Sequence, residues 1–190
     1  MVDNVMHYPY RILWIFPRIF CLLLLLAAPV QAERVQILSQ FHAYKSPRQI
    51  PNLSFEDMKG TRKQLSDYRG KWVLINIWAT WCAPCRKELP QLDNLQEAFA
   101  DTNFIILPIS IDSPQTAAKI LTFYHERDLK NLPILIDRTA AVMKIMRPSG
   151  LPVSWLVSPS GMAVGEVTGY ASWDSDSAAN LIEYYLQQTP

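Results

Sequence analysis

With 190 residues, the chain has room for one domain with a packed core plus a short extra segment. Its 49% apolar content excludes a disordered chain, and a formal net charge of +1 lacks the basic excess that nucleic acid or anionic lipid would require. The expected partners are therefore proteins.

Residues 1–32 read as a targeting segment. Arg11 and Arg18 precede the apolar run Ile19–Ala28, and Pro29-Val30-Gln31-Ala32 follows as a small-residue cleavage site. The run is shorter than the roughly 20 apolar residues that span a bilayer. Export to the periplasm with cleavage after Ala32 is preferred to an uncleaved inner-membrane anchor, which would hold Arg18 within the span at a cost. Cys21 is then discarded or lies in the membrane. Removing the segment takes two of 18 basic and one of 17 acidic residues, so the remainder is formally neutral.

Residues 33–47 are polar and without a clear period, a leader of uncertain order, and one domain is expected over 48–190. Pro51–Phe55 and Thr61–Leu65 flank a turn at Asp57-Met58-Lys59-Gly60, which predicts a short hairpin. Ser66–Gly70 then turns into 72–78, apolar on both faces as in a central parallel strand. Beyond Trp81-Cys82-Ala83-Pro84-Cys85, the spacing of Leu89, Leu92, Leu95 and Phe99 predicts a helix kinked at Pro90. Phe104–Ile109 is the next buried strand, and Asp112-Ser113-Pro114 supplies an N-cap with Pro at the first helical position. Ala117, Ile120, Leu121 and Tyr124 mark the helix that follows. Strand 133–136, a short helix near 139–146, strand 153–157, a turn at Ser158–Gly161 and strand 163–168 come next. An amphipathic helix with Ala178, Leu181, Ile182 and Tyr185 closes the chain. This order predicts an α/β fold: a central mixed sheet flanked by helices, with the late hairpin as an antiparallel edge.

The two cysteines outside the targeting segment, Cys82 and Cys85, lie at a strand-to-helix junction. That position puts the first sulfur where unpaired amides and the helix dipole favour a thiolate, so thiol–disulfide redox chemistry is the leading reading. A structural staple would join distant segments, since so short a loop constrains the unfolded chain little. Cys82 is expected to be exposed, and Cys85, one turn in, more buried and less ionised. His42 and His125 read as surface residues, no other His or Cys stands at metal-ligand spacing, and neither metal nor cofactor is expected. A lone redox pair in an oxidising compartment also implies an electron donor or acceptor.

The string Asn76–Pro90, with Gly150-Leu151-Pro152-Val153-Ser154-Trp155-Leu156-Val157, the extra helix and strand between Ile111 and Thr139, and the N-terminal hairpin, resembles the TlpA/ResA/CcmG-type branch of the thioredoxin superfamily over roughly residues 48–188. The resemblance implies a thioredoxin-like fold with a central α/β insertion, and a redox-active disulfide in which Cys82 attacks a partner and Cys85 resolves the mixed disulfide. It implies that Pro152 is a cis-proline facing the cysteines, with Gly150 and Leu151 offering backbone to substrate; by itself Pro152 reads as an ordinary trans proline opening a strand. It implies that Glu88 manages protons at the thiols, where the residues alone suggest a solvated glutamate on a helix surface. Asn76 stands where classical thioredoxins carry a buried acid, which removes that proton route. Trp81, Ala83 and Pro84 would form the substrate platform and Trp78 would pack in the core. Arg86 and Lys87 either lower the thiol pKa or are simply solvated.

The function expected from the resemblance is reduction of disulfides in exported proteins with cysteine pairs, such as apocytochrome c or copper-centre assembly proteins, by a monomer fed by an inner-membrane thiol-transfer donor. The neutral Ala83-Pro84 dipeptide favours a reductant. A dithiol oxidase or isomerase is the alternative. A copper-binding assembly factor is less favoured, because such proteins in this superfamily carry C-x-x-x-C and a distal histidine.

Overall fold

The computed structural model describes residues 38–188, so the expected targeting segment over 1–32 and residues 33–37 of the leader lie outside the described residues. Eight strands form one mixed sheet: β1 (His42–Gln49), β2 (Ser54–Asp57), β3 (Arg62–Gln64), β4 (Trp72–Trp78), β5 (Phe104–Ser110), β6 (Leu135–Ile136), β7 (Val153–Val157) and β8 (Met162–Thr168). Their order across the sheet is β1-β8-β7-β4-β5-β6-β2-β3. The helices are α1 (Ala83–Ala98), α2 (Ala117–Glu126), α3 (Ala141–Met146) and α4 (Asp176–Leu186).

Strand β4 is buried throughout because it is covered on both faces, as its unbroken apolar run predicts. It runs parallel to β5 and antiparallel to β7. Side chains alternate across a strand, so Trp72, Leu74 and Trp78 join one core cluster while Val73, Ile75 and Ile77 join the other. The first cluster is closed by Leu89, Leu92 and Leu95 of α1, Ile120 of α2, and Leu181 and Ile182 of α4. The second is closed by Val142 of α3 and by Leu53 and Phe55 of the N-terminal hairpin. Asn76 falls in the alternation on the first face, beneath α1, where an apolar residue would otherwise sit. Helix α1 continues through Pro90, although that residue has no amide to offer the preceding turn.

Two expectations need correction. The leader expected over 33–47 runs into the sheet: β1 pairs with β8 at His42↔Glu166 and Arg48↔Ala163, so β1, not the late hairpin, forms that edge. It is held by Tyr44, whose hydroxyl donates to Glu166 at 2.7 Å, and by the bareness of Gly165, where a Cβ would run into the Phe41 ring and the His42 carbonyl. The second concerns Asp112-Ser113-Pro114. A 3-10 turn begins at Pro114, but α2 starts after Thr116 without a side-chain cap, and the Asp112 carboxylate is used elsewhere.

Candidate active site

The chain leaves β4 at Trp78 and reaches α1 through Ala79, Thr80 and Trp81. Cys82 is the N-cap of α1, and Pro84 sits in the first turn, where its missing amide costs no helical hydrogen bond. Cys82 and Cys85 are joined as a disulfide. The Cys82 sulfur accepts the Cys85 amide at 3.3 Å, a contact that would favour a thiolate at Cys82 once the bond opens. Cys85 is fully buried and Cys82 is 6% exposed. The predicted order of accessibility therefore holds, but the first sulfur is less open than expected: in the disulfide it turns back onto its own helix. Trp81 is 68% exposed beside it, and Ala83 and Pro84 are exposed as well. Trp78 is buried against Phe123 and Tyr124, as predicted.

The loop entering the cysteines is pinned from below. Asp112 accepts the Thr80 amide at 2.8 Å and the Thr80 hydroxyl at 2.6 Å, and its Oδ2 also takes the Ser110 hydroxyl at 2.7 Å. Sequence reasoning read the Asp112 triplet as a helix cap and missed this role. Its position just after the apolar run Phe104–Ile109 was the available signal.

Leu151–Pro152 is a cis peptide bond. Pairing of Ile77 with Val153 brings Pro152 level with Trp78, so Gly150, Leu151 and Pro152 stand at the same end of the sheet as the cysteines. Pro152 is buried and Gly150 exposed.

Glu88 lies one helical turn beyond Cys85 and is fully buried, so the solvated reading falls. Its Oε1 accepts the Asn76 amide at 2.8 Å, and its Oε2 accepts the Ala171 backbone amide at 3.3 Å. Asn76 gives its other hydrogen to the Ser154 hydroxyl at 2.9 Å, its cross-strand neighbour, while its carbonyl oxygen has no partner among the described residues. Burial pushes the Glu88 carboxyl up to about 7, against the pull of Asn76, Ala171 and, more weakly, the Trp173 indole, whose N–H lies nearby without making a hydrogen bond. All three are neutral. A carboxyl poised near neutrality can take and return a proton at ordinary pH.

Residues 169–173, after β8, form a strap over Glu88. Gln91 of α1 holds it: its amide donates to the Tyr170 hydroxyl at 3.1 Å, and its carbonyl accepts the Trp173 amide at 3.3 Å. The Lys87 ammonium lies 4.4 Å from the Tyr170 ring centroid. Gln91 and Tyr170 were not singled out in the sequence, since neither type nor spacing marks them. His42 and His125 are exposed, as expected.

Residues 47–162 match the AhpC/TSA family. The thiol-disulfide oxidoreductase ResA of Bacillus thuringiensis subsp. konkukian is 31% identical over 143 residues, covering 75% of this chain and 78% of its own. The solution structure of a thiol:disulfide interchange protein from a Bacteroides species superposes with a TM-score of 0.61 at 27% identity, covering 76% of this chain and 91% of that one. A Chlorobium tepidum protein described as the thiol:disulfide interchange protein DsbE has a TM-score of 0.66 at 20% identity over 76% of this chain and 99% of its own, a likeness of fold.

Proposed function

Since the chain belongs to the AhpC/TSA family, among the ResA-like thiol–disulfide oxidoreductases of the thioredoxin superfamily, we propose that it acts as an exported reductant of disulfides in periplasmic proteins that carry cysteine pairs. Apocytochrome c and copper-centre assembly proteins are the substrate kinds proposed, and an inner-membrane thiol-transfer protein would return the electrons.

In this reading, the Cys82 thiolate attacks one sulfur of the partner disulfide. A mixed disulfide forms and the partner's other sulfur leaves as a thiolate. Cys85 then gives its proton to the Glu88 carboxylate and attacks the Cys82 sulfur, closing the Cys82–Cys85 disulfide and freeing the second partner thiolate. Two electrons pass from the dithiol to the partner, and its two thiolates take up the two protons given up by Cys82 and Cys85. Trp81, Ala83 and Pro84 on one side, and the backbone of Gly150 and Leu151 before Pro152 on the other, would border the partner segment.

The observation that carries this reading is the buried Glu88, one turn beyond the sealed Cys85, with its carboxyl near 7. An attacking thiol out of reach of water needs an acceptor of that kind nearby. The absence of charge in Ala83-Pro84 supports the reducing direction, since nothing there stabilises a thiolate strongly enough to make the disulfide a strong oxidant.

The test is a Cys85→Ser variant in the native host together with the potential of the unaltered pair. Partner proteins should accumulate in disulfide linkage to Cys82, and the potential should fall near that of thioredoxin, about −270 mV. A trap that stays empty while the Cys82 thiol is accessible overturns the exchange reading. A potential near −120 mV, as in strong oxidants, overturns only the direction.

A further inference from the structure

Trp81 opens onto a concavity of about 510 Å³ that runs from the first turn of α1 along α2. Arg86 and Lys119 line it near the cysteines, and Glu126 lines it at the far end. Helix α2 begins at the sheet end that carries Cys82 and runs back from it, so Lys119, in its first turn, lies toward the cysteine end and Glu126, its last residue, lies away from it. These positions are about 10 Å apart along the helix axis at 1.5 Å per residue. The ion pairs among the described residues are Lys130–Asp128 and Arg138–Glu56, so among those residues neither Arg86 nor Lys119 has an ion-pair partner. Asp112 on the groove floor is only 2% exposed, and its oxygens are held by Thr80 and Ser110 rather than offered to the cations. The groove is thus polarised, positive beside the nucleophile and negative farther out.

We infer that this groove binds the extended polypeptide flanking the target disulfide and selects segments with an Asp or Glu beside the reacting cysteine and a Lys or Arg about three residues farther along, the spacing at which an extended chain spans the length from Lys119 to Glu126. The inference rests on the disulfide-reducing reading above and adds the substrate's charge pattern. Neither the chain's neutral balance nor the Cys-x-x-C motif carries that information. Paired exposed charges discriminate modestly in affinity but act on encounter and register, so the preference belongs in the second-order rate.

The test uses three disulfide peptides that differ only in the flank of one cysteine: Glu near and Lys far, Lys near and Glu far, and Gln at both places, each made with the flank on either side of the cysteine. The first two have the same net charge, so they report charge order alone. Full-length protein is reduced, freed of excess reductant and mixed with peptide for a single turnover, in which its dithiol passes two electrons and two protons to the peptide disulfide. The matched order should react about fivefold faster than the reversed order in one chain direction at low salt. The difference should vanish near 1 M salt, where the screening length is about 3 Å. Lys119→Glu should level or invert the order, and Lys119→Gln should give an intermediate ratio. Equal rates for the two orders, a faster reversed peptide, or a preference that survives 1 M salt overturns the inference while the Gln peptide still reports reduction. If the Gln peptide is not reduced either, the reducing reading falls and takes this inference with it.

Discussion

Glu88 shows how far a single residue can be read from its neighbours in the chain. Arg86 and Lys87 just before it are exposed, and a glutamate in that company reads as solvated. What buries it arrives from a distance: Asn76 from the adjacent strand and Ala171 from a loop 83 residues on. Cys82 and Cys85 were legible because their placement depends on one local junction, whereas the burial of Glu88 depends on tertiary neighbours that no short window contains. The raised carboxyl has a consequence for stability. The folded state holds the Glu88 proton up to about pH 7, while the unfolded chain releases it near the ordinary value of 4.5. Between those values the native state binds more protons, so stability falls as pH rises, and above the folded value the full cost is on the order of 3 kcal/mol. Glu88→Gln removes this dependence. In urea unfolding of the oxidised proteins, the variant should gain on the parent by about 3 kcal/mol between pH 4 and pH 8, and a constant gap would contradict the assignment.

At the level of elements, most helices and strands were legible because their periods are strong. Strand β7 was predicted to the residue, and β4 and α1 lie where the apolar pattern puts them. Strand β1 was not legible. Its residues are mostly exposed, it contains Ser46-Pro47, and it is in the sheet only because Gly165 and Glu166 of β8 receive it. The strap over Glu88 was equally silent, since Gly169–Trp173 has no regular structure and depends on Gln91 of α1. That dependence can be measured. Gln91→Ala removes the hydrogen bonds to Tyr170 and Trp173 that tie the strap to α1, which should lower stability by about 1–2 kcal/mol. Water then reaches Glu88, and its carboxyl should move down from about 7 toward the ordinary range. The stability loss should therefore be larger at pH 5 than at pH 8, because above pH 7 the parent carries the cost of a buried carboxylate that the solvated variant escapes. A loss independent of pH would make Gln91 a structural tie alone.

In the whole molecule, the proton on Glu88 and the electrons on the cysteines belong to one equilibrium. Sheet and helices bring them together: β4 supplies Asn76, α1 carries Cys82, Cys85 and Glu88 on successive turns, and the segment after β8 closes over the carboxyl. The disulfide form described here has no ionisable sulfur. Reduction adds two thiols, and while both stay protonated the potential falls by roughly 59 mV per pH unit, one proton for each electron. A thiolate forming within a turn of Glu88 raises the carboxyl further, because two negative charges in so dry a place repel. The proton lost by the thiol is then kept in part on Glu88, and an ionised Glu88 in turn holds the thiol proton longer, so the slope of roughly 59 mV per pH unit should persist to higher pH than the thiols alone would allow. The apparent values belong to the coupled group of thiols and carboxyl rather than to one residue. Glu88→Gln uncouples them, so its potential should follow a single slope until the first thiol ionises. Titration of both proteins against a glutathione or dithiothreitol buffer from pH 5 to pH 9 tests this: a change to the shallower slope at higher pH in the parent than in Glu88→Gln supports the coupling, and coincident breaks exclude it.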